Sequence, residues 1–161
     1  MTIKVGDKLP QATFRLVTSD GARPVTTKEF FGGRKIVLFG LPGAFTPPCQ
    51  NTHLPGFLAN QAAFKAKGVA EIALTAVNDH HVLAAWSKAT GADGRIVFLA
   101  DGAAEFAKAA GLDFDGSAGG LGLRSKRYSA LVEDGVVKIF NIEESPGKVD
   151  LSSAAHLLAQ M

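Results

Sequence analysis

The sequence predicts an α/β fold, a mixed β-sheet flanked by helices, and three observations carry that expectation. A continuous apolar run at 36–39 reads as a strand covered on both faces, and the apolar-rich stretches at 72–77 and 96–99 read as further buried strands. Each is followed by a segment with helical periodicity, and this alternation argues for a largely parallel sheet. Near the end, strand-like stretches at 128–132 and 136–142 flank Asp134-Gly135, a hairpin turn that adds antiparallel strands.

In chain order, residues 1–11 read as a loop and 13–17 as a first strand. Ser19-Asp20-Gly21 is a turn signal that returns 22–25 as a hairpin partner. Thr26 or Thr27 caps a short helix through Phe31, closed by Gly32-Gly33. After the strand at 36–39 the chain turns through Pro42-Gly43, and a helix starts with Thr46 as N-cap and Pro47 at its first position. The ring of Pro55 clashes with the carbonyl of Asn51 and brings no N–H, so with Gly56 beside it the helix is expected to kink or break there. Phe57, Leu58, Ala62 and Phe64 continue an apolar helical face to Gly68, a C-terminal cap. Asn78-Asp79 caps a helix over 80–90, on which Trp86 reads as a large core or interface residue. Asp101-Gly102 precedes an Ala-rich helix over 103–110. Residues 111–122 hold five glycines, at 111, 116, 119, 120 and 122, without apolar periodicity, and read as a long loop. Asp150 or Ser152 caps a last helix through Leu158, with Leu151, Ala154, Ala155 and Leu158 on one face. No repeat, linker or low-complexity tract divides the chain, so a single domain is expected over 1–161.

Composition narrows the function classes. Hydrophobic residues make up 47% and charged residues 20%, values of a compact globular enzyme or binding domain. The formal net charge is +2 and the most basic point is Lys126-Arg127, with no aromatic-interleaved basic stripe, so no nucleic-acid partner is expected. The apolar runs are far short of a membrane span and the first residues hold no apolar signal core, so no membrane attachment is expected, and the cytosol is the default compartment. One cysteine allows no internal disulfide, no CxxC motif and no thiolate zinc cluster. The four histidines, at 53, 80, 81 and 156, lack metal-ligand spacing, and nothing calls for a metal or cofactor.

That cysteine, Cys49, falls in the first turn of the helix that starts at Pro47. Pro47 and Pro48 delete two of the unpaired N–H groups of a helix start, which leaves the Cys49 N–H as a free donor beside its own sulfur. The positive end of the helix dipole favours a thiolate, the nucleophilic form. Thr46 can cap the Cys49 N–H or turn its hydroxyl to the sulfur. On these residues alone two readings stand, a reactive thiol and an inert buried apolar residue. His53, four residues on, can share a face with Cys49 and assist its ionisation, but side chains lean toward the helix start and Pro55 disturbs the geometry, which favours a structural or hydrogen-bonding role. His80 and His81 read as capping-region or surface residues.

At Pro42-Gly-Ala-Phe-Thr-Pro-Pro-Cys49, followed by Gln-Asn-Thr-His-Leu-Pro-Gly-Phe57, the sequence resembles the peroxiredoxins, and within them the peroxiredoxin 5 (type II) subfamily. The likeness continues through Ala76-Val-Asn-Asp79, Trp86, Phe98-Leu-Ala-Asp101, Arg124-Ser-Lys-Arg-Tyr128 and Glu133-Asp-Gly-Val-Val137, in order along most of the chain. The resemblance implies a thioredoxin-like fold and a peroxidatic cysteine at Cys49, with Pro42, Thr46 and a distant arginine completing a peroxide pocket. Arg127 matches the family order before an aromatic residue and a strand more closely than its competitor Arg124. The implied activity is thiol-dependent reduction of hydrogen peroxide and alkyl hydroperoxides, with Cys49 passing through a sulfenic acid, and a homodimer with contacts near 111–123 and 41–46. Family members that resolve the sulfenic acid themselves use a second cysteine, which this chain lacks, its C-terminal helix reading Leu151-Ser-Ser-Ala-Ala155. The resemblance therefore narrows to a one-cysteine form reduced by an external thiol, glutathione with glutaredoxin or thioredoxin. The rival functions on the same fold are a thiol-disulfide oxidoreductase, opposed by the missing CxxC, and a non-enzymatic chaperone or interaction protein.

Overall fold

The computed structural model describes residues 1–161. Strands β1 (Thr13–Thr18) and β2 (Gly21–Thr26) form the first hairpin, and Thr26 caps α1 (Thr27–Phe31) in a reciprocal capping box with Glu29. Strand β3 (Lys35–Gly40) follows, then a helical stretch that ends in α2 (Leu54–Ala59) and, beyond a break at Asn60, α3 (Gln61–Ala66). Next come β4 (Glu71–Ala76), α4 (His80–Ala89), β5 (Val97–Ala100) and α5 (Glu105–Ala109). The short strands β6 (Asp113–Asp115) and β7 (Leu123–Ser125), the hairpin β8 (Tyr128–Glu133) and β9 (Val136–Ile142), and α6 (Ala154–Gln160) complete the chain.

Seven strands form one sheet in the order β2-β1-β5-β4-β3-β8-β9. Only the β3–β4 and β4–β5 pairings are parallel. The mixed sheet is as the sequence predicts, but "largely parallel" is too strong: β1 enters antiparallel beside β5 and β8 antiparallel beside β3. Crossover helices mark the parallel set and a tight Asp-Gly turn marks β8–β9, whereas nothing local announces where an outer hairpin docks.

The apolar runs are covered on both faces. Along β3, Val37 and Phe39 enter one core with Phe57, Phe64, Trp86 and Leu157. Ile36 and Leu38 enter the other with Phe14, Phe31, Phe106 and Val132. Each fully buried large apolar side chain contributes about 1.5–3 kcal/mol, so β3 is the stiff rod from whose end the site hangs.

Four local expectations are corrected. Pro55 does not break the helix: residues Cys49–His53 widen into a π-helical turn in which the Leu54 N–H reaches the Cys49 carbonyl, and the chain continues without interruption into α2. Widening by one residue absorbs the missing N–H and the ring clash that a regular α-helix would not tolerate. The stretch 111–122 is not a plain loop, because β6 and β7 pair across it as a two-stranded ribbon with a 3₁₀ turn at Ser117–Gly119. The last helix is capped by Ser153, which accepts from the His156 N–H; Asp150 stays outside and Ser152 turns inward to Glu143. The Ala-rich helix also starts later than 103, because Ala104 adopts a left-handed conformation and the Asp101 carboxylate takes the N–H groups of Phe106 and Ala107.

Candidate active site

Beyond β3 the chain passes Leu41, Pro42 and Gly43, all buried, and enters the helical stretch at Pro47. Two glycines permit this path. A Cβ on Gly40 would overlap the Tyr128 ring, and one on Gly43 would fall on Nη1 of Arg124. The carbonyl of Pro42 accepts from that Nη1 at 3.0 Å, and the Ala44 N–H donates to Oδ1 of Asn78 at 2.9 Å. The turn is thus held from both sides.

Cys49 is fully buried. Its sulfur lies 2.8 Å from Oγ1 of Thr46 and accepts from Nη2 of Arg127 at 3.1 Å. Thr46 Oγ1 also lies 2.8 Å from the Gly43 carbonyl, so its single proton serves either that oxygen or the sulfur. The Cys49 N–H makes no hydrogen bond, because Pro47 and Pro48 start the helix and the first intrahelical bond is Gln50 N–H to Thr46 O. Gln50 in turn accepts from Nε1 of the fully buried Trp86.

Arg127 is only 1% exposed and makes no ion pair with a carboxylate. Its guanidinium donates from Nε and Nη2 to the Pro146 carbonyl, at 3.1 and 3.0 Å, and from Nη1 to Nδ1 of His53 at 2.9 Å. Nε2 of His53 faces the Ser152 carbonyl at 3.0 Å, which must accept; the Nε2–H tautomer follows, with Nδ1 free to accept from the arginine. Burial, reinforced by the Arg127 charge, lowers the His53 pKa to about 3. His53 is therefore a neutral hydrogen-bonding residue and supplies no imidazolium to the thiol. A buried guanidinium without a carboxylate leaves the Cys49 sulfur as the one group in contact able to balance it as an anion.

Of the residues singled out in the sequence, Thr46, Cys49 and Arg127 meet directly. Pro42 lies buried at the head of the same turn, and Arg124 braces Pro42 instead of reaching the sulfur. Sequence reasoning missed the carbonyls of Pro146 and Ser152 and the carboxylate of Glu143, whose Oε2 accepts from the Asp150 N–H, the Ser152 N–H and the Ser152 hydroxyl. Only the adjacent pair Glu143-Glu144 could have drawn notice, and main-chain acceptors leave no mark in a sequence.

One thiol at the helical turn after a central β-strand, held by a hydroxyl and a buried cation, defines a thiol-based redox protein. The Redoxin family matches residues 4–158. The chloroplastic peroxiredoxin-2E-2 of Oryza sativa subsp. japonica is 47% identical over 162 residues, spanning 98% of this chain and 72% of that protein. The reduced Prx3 of Vibrio vulnificus, in complex with hydrogen peroxide, superposes with a TM-score of 0.93 at 44% identity over 99% of each chain. Peroxiredoxin 5 from Alvinella pompejana superposes with a TM-score of 0.85 at 33% identity, over 98% of this chain and 96% of that one. The chain belongs to the peroxiredoxins, in the type that includes peroxiredoxin 5, and carries a single cysteine. It has their thioredoxin-like fold and their activity, a thiol peroxidase that reduces peroxide through a peroxidatic cysteine. The disulfide-oxidoreductase and chaperone readings are set aside as its primary function.

Proposed function

We propose that Cys49 is the peroxidatic cysteine, that Thr46 and Arg127 bind and polarise the peroxide with Pro42 shielding the sulfur, and that a thiol from outside the chain completes the cycle. The observation that carries this reading is the buried Arg127 guanidinium on the Cys49 sulfur with no carboxylate to neutralise it. The thiolate of Cys49 attacks the distal oxygen of ROOH, the O–O bond breaks, and the leaving RO⁻ takes a proton to become ROH, or water when R is hydrogen. Arg127, the Cys49 N–H and the Thr46 hydroxyl are placed to hold the two oxygens in line and to stabilise the charge that moves onto the leaving one. Cys49 is left as a sulfenic acid. A first external thiol condenses with it, releasing water and forming a mixed disulfide; a second thiol displaces Cys49 and leaves as the disulfide.

Hydrogen peroxide and alkyl hydroperoxides are the proposed substrates, glutathione with glutaredoxin or thioredoxin the reductants, and the cytosol the compartment, where thiols are kept reduced. The reading treats 1–161 as one domain acting as a homodimer. Phe45, 52% exposed, and Leu123, 37% exposed, support an interface beside the pocket. Sedimentation that finds only monomer at micromolar concentration removes the dimer. The central test is peroxide consumption with each reductant supplied separately: wild type turns over with at least one, Cys49→Ser with none, and full activity in Cys49→Ser would sink the proposal.

A further inference from the structure

Resting on that reading, we infer that Glu143 is a positioning residue for the peroxide step, the clasp that holds the main-chain carbonyls against which Arg127 and His53 are oriented. Residues 144–151 are mostly exposed and lie between the end of β9 and the cap of α6. They lack regular secondary structure, and their own bonds are a Ser145–Lys148 turn and a surface Lys148–Asp150 pair at 3.9 Å. The far end of this segment is held by the His53–Ser152 carbonyl bond, by the Ser153 N–H on the Asp150 carbonyl and, with the most bonds, by one carboxylate. Glu143 is 7% exposed, and its Oε2 gathers Asp150 N–H and Ser152 N–H at 2.7 Å and the Ser152 hydroxyl at 2.6 Å. Its main-chain N–H donates to the Arg127 carbonyl at 3.0 Å, so the clasp is registered to the strand end that carries the arginine.

Two carbonyls of the clasped segment do the orienting. Pro146 O takes two of the guanidinium's donors, and Ser152 O sets the His53 tautomer whose Nδ1 takes a third. Three bonds thus fix the plane in which Nη2 reaches the sulfur. Glu143 touches neither sulfur nor peroxide; it acts through backbone. A three-donor, charge-assisted cluster is strong enough for this, and the carboxylate is held below the usual glutamate range by those same donors despite the burial that opposes it. Misplacing a catalytic group by about 1 Å costs roughly 100-fold in rate, so loosening the segment is expected to be visible in chemistry before it is visible in folding.

The experiment is stopped-flow oxidation of the reduced protein by hydrogen peroxide, with the amplitude used to count active sites. Glu143→Ala is expected to keep full amplitude and to lower the second-order rate roughly 10- to 100-fold. Glu143→Gln, which keeps an acceptor without the charge, is expected to lose about threefold to tenfold, and carries the test if the alanine variant does not fold. In an Arg127→Lys background the same change should add less than about twofold, because its route to the sulfur is already cut. Nitrogen NMR of His53 gives a readout independent of turnover: Nε2–H with unprotonated Nδ1 in wild type, and a mixture of tautomers in Glu143→Ala. A rate within twofold of wild type, or a loss that multiplies undiminished in the Arg127→Lys background, overturns the proposal. Absence of peroxide oxidation in the wild type would instead overturn the functional reading, while the tautomer comparison would still decide the clasp.

Discussion

His53→Gln should flatten the acid limb of the stability curve. In the folded protein the imidazole is buried against Arg127 with a pKa of about 3, against 6.5 for the ordinary group. The unfolded chain therefore binds a proton through the window from 6.5 down to 3 that the native state refuses. Stability is fully present above 6.5 and is lost as pH falls. Integrating between those two values gives a loss from this residue of about 2 kcal/mol at pH 5 and about 3 kcal/mol at pH 4, relative to pH 7. That is a large share of the ~5–15 kcal/mol that holds a typical domain together. Glu143, whose pKa is lowered, pulls the same way in acid, so the informative quantity is the difference between two proteins that both retain Glu143. Glutamine does not titrate, and its amide can still donate to the Ser152 carbonyl and accept from Arg127. Urea unfolding at pH 7, 5 and 4 should show wild type losing about 3 kcal/mol more than His53→Gln over the range. A difference under about 1 kcal/mol would mean that His53 takes up its proton in the native state well above pH 5, and the neutral-acceptor assignment would fail.

Other outcomes follow from the same geometry. Thr46→Val keeps the shape of the side chain but removes the donor at the sulfur, and should slow oxidation by hydrogen peroxide roughly 100-fold in stopped flow without changing the unfolding free energy by more than about 1 kcal/mol. Arg127→Lys retains a charge yet cannot span Pro146, His53 and the sulfur at once; a loss of at least about tenfold is expected, and wild-type kinetics would show that charge alone suffices. Gly40→Ala drives a methyl into the buried Tyr128 ring and should cost about 1–3 kcal/mol in urea unfolding. Because the only ion pairs are the exposed Lys4–Asp7 and Lys148–Asp150, raising salt from 0.05 to about 0.5 M should move stability by less than about 1 kcal/mol, as read from the melting temperature in chloride.

The elements that sequence reasoning located are those whose causes are local. Buried β3, β4 and β5 announce themselves as apolar stretches, Thr26-Thr27 and Asn78-Asp79 as cap signals that the structure resolves to Thr26 and Asp79, and Asp134-Gly135 as a turn. Within the site, Cys49 and Thr46 sit three residues apart on one helix start, so their meeting is written in the spacing. Arg127 came from the likeness to a family, because 78 residues separate it from Cys49 and only the β3–β8 pairing brings the two together. The docking of the first hairpin beside β5, the β6–β7 ribbon and the cap at Ser153 stayed hidden for a common reason. Each is decided by a distant partner: β1 by an open sheet edge, β6 by β7 across glycines, and Ser152 by a carboxylate that draws it inward and leaves the cap to its neighbour. Pro55 is different in kind, since the expected clash is real and the chain evades it by changing helix type.

The π-helical turn has a consequence for phase. By closing its ring over five residues instead of four, the segment Cys49–His53 consumes one residue more than an α-helix would over the same advance. Everything before Leu54 is consequently rotated by about 100° relative to the α-helical continuation of α2. A helical wheel drawn from the core face of α2 back through Cys49 therefore points the sulfur in the wrong direction. Deleting a single residue inside the turn, such as Asn51, would leave α2 on its core face and swing residue 49 about a quarter-turn away from Arg127. The direction in which the thiol points is thus set by a count of residues as much as by their chemistry.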